Sequence, residues 1–124
     1  MTNNQALIAS NYCGILYGSK QITFGVANRL ARNAKIYTKI QSEIDEIKQR
    51  ANQKEASYDD LMNELNSFGM SEFDGEFKTI DLSVVENLSY EEIPVTLSKG
   101  DNQTQENWKI SDMLIYLQEL EIIK

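Results

Sequence analysis

ITFGVANRLARNAKIYTKIQSEIDEIKQRANQKEA, residues 22–56, is the stretch whose reading decides the fold. Only Gly25 within it argues against a helix. Val26, Leu30, Tyr37, Ile40, Ile44, Ile47 and Ala51 fall on alternating steps of three and four, with Asn33 in the one gap. That spacing keeps one side of a 3.6-residue helix apolar. It also reads as a heptad seam, with Leu30, Tyr37, Ile44 and Ala51 at one core position and Val26, Asn33, Ile40 and Ile47 at the other. A helix of about 30 residues extends some 45 Å. This is long for a chain of 124 residues, so part of it is expected to seek a partner. Two partners fit the pattern. One is a second subunit, with Asn33 fixing register as buried asparagines do in coiled coils. The other is this chain's own C-terminal helix and strands.

The same stretch carries a second stripe. Arg29, Arg32, Lys35 and Lys39 step by three, three and four on a different face from the seam. No acid precedes Glu43, so the usual neutralisation one turn away is missing. Residues 1–54 hold eight positive and three negative side chains, a balance of +5. Residues 55–124 hold four positive and sixteen negative, a balance of −12, and the whole chain carries −7. A chain polarised in this way is neutralised by folding one half on the other or by meeting another molecule. The charge pattern therefore points to association.

Outward from the long helix, the elements are short. Residues 6–17 form either a helix or a glycine-broken turn. In the helical reading Ala6, Ser10, Gly14 and Gly18 make a ladder of small side chains that admits a close neighbour. The polar residues 1–5 are expected to fray. Ser57 with Asp60 predicts a helix start, followed by Leu61, Met62, Leu65 and Phe68, with Gly69 as its stop. Residues 70–76 read as a loop. Ile80, Leu82 and Val84 alternate as in a strand, and Ile93, Val95 and Leu97 do so again, with Pro94 directing the second to a sheet edge. Residues 99–105 read as a polar loop, and Trp108 with Ile110 as a further short strand. Ser111 is placed to cap a last helix with Ile110, Met113, Leu114, Leu117 and Leu120 on its apolar face. The predicted class is α+β dominated by helix: a long N-terminal amphipathic helix, a small antiparallel sheet and a C-terminal helix. It forms one domain over residues 1–124, helical and basic to residue 56, acidic and mixed beyond it.

Chemistry is poorly supplied. The chain has no histidine, which removes the commonest general base and metal ligand and every Ser-His or Cys-His pair. Cys13 is the single cysteine, so an intramolecular disulfide is excluded, and it is expected to be a small buried apolar residue. The loop from Ser71 to Glu76 lacks the EF-hand register, and Glu91 and Glu92, adjacent on a strand, would face opposite ways. No cofactor is expected, and the chain is read as a non-enzyme. The acidic net charge and the absence of aromatics along the basic stripe disfavour nucleic acid. No apolar run reaches the roughly 18 residues of a membrane span, and no basic start marks a classical signal peptide. The expected location is the cytoplasm or an assembled particle. Two functions follow as expectations. The first is a structural protein whose copies associate through the heptad-patterned helix and basic-to-acidic contacts. Its interaction residues would be Val26, Leu30, Asn33, Tyr37, Ile40, Ile44 and Ile47 together with Arg29, Arg32, Lys35 and Lys39. The second is a small acidic inhibitor or adaptor that occupies a basic site on another protein.

Overall fold

The computed structural model describes the backbone of residues 1–124 and every side chain but that of Lys99. Helix α1 (Asn3–Tyr17) leads through a short turn into helix α2 (Phe24–Gln53). Helix α3 (Tyr58–Met70) follows, then two short 3₁₀ helices (Leu82–Val84 and Glu86–Tyr90). Strands β1 (Glu92–Lys99) and β2 (Asn102–Lys109) pair antiparallel as a hairpin, and helix α4 (Ile110–Glu119) completes the helix-dominated α+β fold.

The long helix has the predicted extent, and its own chain covers it. Ala6, Ala9, Ser10 and Cys13 of α1 are fully buried. Their small side chains let α1 lie close against the first half of α2. Gly14, exposed at the margin of this contact, leaves room for a Cβ, which would meet the Ala34 Cβ at an ordinary 3.6 Å. Gly18, the last rung of the expected ladder, instead ends α1, its N–H donating to the carbonyls of Ile15 and Leu16. The N-terminus does not fray. Thr2 and Gln5 form a reciprocal capping box, Asn3 N–H donates to the Ser71 carbonyl at 2.9 Å, and Phe73 N–H donates to the Met1 carbonyl at 2.9 Å.

The main core runs from Ala9, Cys13 and Leu16 through Val26 and Leu30 to Ile110, Met113, Leu114 and Leu117 of α4, closed by Ile122 and Ile123. A second cluster gathers Ala6, Ile40 and Phe73 with the half-buried Leu7, Ile36, Ile44 and Phe68. Ser57 caps α3 as expected, accepting from Asp60 N–H at 3.1 Å. Gly69 does not stop that helix, which continues to Met70. Its role is close approach: a Cβ there would sit 2.5 Å from the Asn4 amide oxygen.

Three expected elements differ. The strand foreseen at Ile80–Val84 shrinks to a single parallel bridge between Ile80 and Ile123. The Asp81 carboxylate accepts from both the N–H and the hydroxyl of Ser83 at 2.9 Å, which bends the chain into a 3₁₀ turn. The foreseen loop at 99–105 is mostly strand. Only Gly100 and Asp101 turn, with Gly100 at φ 60°, and the polar Asn102–Gln105 pairs with β1 through its backbone. Ser111 is not the cap of α4: that position belongs to Lys109, which makes no side-chain capping bond.

Candidate interaction face of helix α2

The seam and the stripe have separate fates. Val26, Leu30, Asn33 and Ile40 are buried within the subunit, while Ile44 and Ile47 are half-buried. Tyr37 was expected in the core and is 40% exposed. Ile36 packs in its stead, because α1 and the segment after α3 press on the flank of α2 that Ile36 shares with Ile40. Asn33 does fix register, but within one chain. Its side-chain oxygen accepts from Lys78 N–H at 2.7 Å and its amide donates to the Lys78 carbonyl at 3.0 Å. An extended strap, Phe73 to Ile80, is thereby held along the seam, and no second helix is needed to satisfy the buried amide.

The cationic stripe lies beside this strap. Arg29 Nη1 donates to the Thr79 carbonyl at 2.7 Å, so its partner is backbone and its charge is unmatched. Lys39 Nζ stands 3.9 Å from Asp74 Oδ1, with both side chains largely exposed, a contact that contributes little. Arg32 and Lys35 form no ion pair among the described residues. Gly25, Asn28, Arg29, Arg32, Lys78 and Thr79 line an open cleft of about 490 Å³. Three of these side chains are cationic and none is acidic. The chain matches no family model, no curated protein and no solved structure.

Near the stripe the subunit places Asp74 by Lys39, Glu43 one turn beyond Lys39, and Asp81 in a cleft shared with Arg29, and a denser acidic group lies further off. Asp59, Asp60 and Glu64 sit on α3, which has no basic residue, near the far end of α2. From Arg32 to the level of Arg50 the helix rises about 27 Å. That exceeds a Debye length of about 10 Å at 0.1 M salt, so exposed charges at the two ends barely sense each other. Lys78 and Asn28 enter the cleft without a local sequence signal. Lys78 is 45 positions from Asn33, and only the pairing of the two brings it there.

Elsewhere the chemistry is quiet. Burial pushes the Cys13 thiol up to about 12, partly opposed by the Asn33 hydrogen bond, which makes it a poor nucleophile. The Ser83 N–H and hydroxyl hold the Asp81 carboxyl below its usual range. Burial, then Tyr12 and Glu119, raise the Tyr116 phenol. Among the described residues no group of three His, Cys, Asp or Glu side chains is placed to hold a metal ion. No helix is long and apolar enough to cross a membrane among those residues.

Proposed function

We propose that the protein is a non-enzymatic assembly subunit whose copies associate through basic-to-acidic contacts along α2. One observation carries this reading: Arg29, Arg32, Lys35 and Lys39 share a face on which, among the described residues, only Lys39 forms an ion pair, a loose one with Asp74. The first half of the seam, from Val26 to Ile40, contributes by stiffening the subunit, since its own chain occupies it. The first half of α2 carries Arg29, Arg32, Lys35 and Lys39, while beside its other end the acids of α3 join Glu43, Asp45 and Glu46 and outnumber Lys48, Arg50 and Lys54, so the subunit has unlike ends. Subunits of this kind associate head to tail, through unlike patches, into rings or filaments. Charge sets their register and encounter rate, and apolar area supplies the holding energy.

Light scattering from the wild type and from an Arg32→Glu, Lys35→Glu double variant tests the reading. Both residues are exposed, so the fold is expected to survive. The wild type scatters as a multimer at low ionic strength and loses mass as salt rises. The double variant stays at subunit mass throughout. Equal scattering from the two proteins refutes the basic face as the contact.

A further inference from the structure

The ends of α2 differ in shape as well as in charge. At the cationic end Phe24 is 86% exposed. It stands on the side of the helix that continues through Asn28 to Lys35, with Arg32 about 12 Å and Lys35 about 16 Å further along the axis. At the other end α3 folds back along α2. There Ile47, Ala51, Ala56 and Leu61 line an open apolar notch of about 240 Å³, rimmed by Arg50, Asp60 and Glu64. A cavity of about 150 Å³ accepts benzene, so the notch has room for a phenyl ring. Arg50 stands 3.9 Å from Glu46, an exposed contact as loose as that of Lys39 with Asp74. Asp59, Asp60 and Glu64 of α3, with Glu46 and Glu55, outnumber Lys48, Arg50 and Lys54 around this end, so its surplus is acidic.

We infer that Phe24 of one copy seats in the α2–α3 notch of a second copy, with Arg32 and Lys35 facing that copy's Asp60 and Glu64. This rests on the assembly reading above and names its two surfaces. A subunit cannot fill its own notch: the helix holds Phe24 and Ile47 about 35 Å apart. Each copy offers one knob and one notch. The contact is thus heterologous and propagates until a rotation closes it. The ring supplies the apolar burial that the exposed charges lack, and the charges orient it.

Sedimentation velocity at low salt tests this with three proteins: wild type, Phe24→Ala and Ala56→Trp, each first checked for fold by circular dichroism and melting. Phe24→Ala lacks the knob, and Ala56→Trp fills the notch. Each alone is expected to be a monomer, its association weakened about tenfold to a hundredfold. Their equimolar mixture is expected to form dimers and grow no further, because one variant keeps the knob and the other the notch. If both variants assemble as the wild type does, the knob-and-notch contact is refuted while self-association stands. If the wild type itself stays monomeric, the assembly reading falls and takes this inference with it. Glu64→Lys, at an exposed position, replaces Ala56→Trp if that variant does not fold. The same mixing result is expected of it, and wild-type growth by Glu64→Lys alone overturns the proposed rim.

Discussion

Asn33→Ala is the substitution that most directly measures what the seam does. The residue is 1% exposed and makes two hydrogen bonds to the backbone of Lys78, at 2.7 and 3.0 Å. Removing the amide leaves a peptide N–H and a carbonyl without partners. Each such loss costs about 1–3 kcal/mol, and the lower half of that range applies because the strap borders solvent. The sum is about 2–4 kcal/mol. For a domain of this size 1 kcal/mol moves the melting temperature by about 4 °C, so a fall of about 8–16 °C is expected in a circular-dichroism melt. Asn33→Asp refines the test. The new carboxylate still accepts from Lys78 N–H but meets the Lys78 carbonyl oxygen with no proton between them. Protonation restores a donor, so the folded state raises the pKa of this carboxyl. Its penalty is small at low pH, grows as pH rises past the ordinary aspartate value, and levels off above the raised one. A loss below about 2 °C for Asn33→Ala, or a pH-independent penalty for Asn33→Asp, would refute the clamp.

The other predictions concern backbone, packing and one titration. Glu121 follows α4 at φ 60°, a left-handed conformation that glycine adopts without the side-chain cost. Glu121→Gly is therefore expected to raise the melting temperature by about 4 °C, for a gain of about 1 kcal/mol; a decrease contradicts the assignment. Gly14→Ala places its methyl group in ordinary contact with Ala34 at 3.6 Å and improves helix propensity, so chemical denaturation should show a gain of about 0.5–1 kcal/mol. A loss would mean that α1 and α2 lie closer than described. Cys13 stays a neutral thiol in the fold up to about 12, whereas the unfolded thiol ionises above its ordinary 9.0. Its contribution to stability is therefore complete below 9.0 and drains away as pH climbs toward 12. The stability difference between wild type and Cys13→Ala should narrow over that window, and a constant difference contradicts the burial.

Much of this architecture is legible in the sequence because local rules govern it. The apolar steps from Val26 to Ala51 predict the long helix, Ser57 predicts the start of α3, and the alternation of Ile93, Val95 and Leu97 predicts β1. The failures are tertiary. Tyr37 fits the heptad and Ile36 does not, yet the position of the strap covers Ile36 and leaves Tyr37 exposed. Ile80, Leu82 and Val84 alternate, yet Asp81 spends its carboxylate on Ser83 and curls the chain. Polar Gln103 and Gln105 carry no strand signal, because both faces of that part of β2 meet solvent. For the interaction face the cationic stripe is readable from spacing alone. Lys78 is not, because its place depends on a hydrogen bond across 45 residues. Phe24 and the α2–α3 notch are likewise invisible before the helices are placed.

Sedimentation equilibrium of the wild-type chain at about 50 mM and about 500 mM salt tests the central claim, that a neighbouring copy's carboxylates answer Arg32 and Lys35. The account predicts an average mass several times 14.2 kDa in the dilute buffer and a return toward 14.2 kDa in the concentrated one. A mass of 14.2 kDa in both, at high protein concentration, would contradict it.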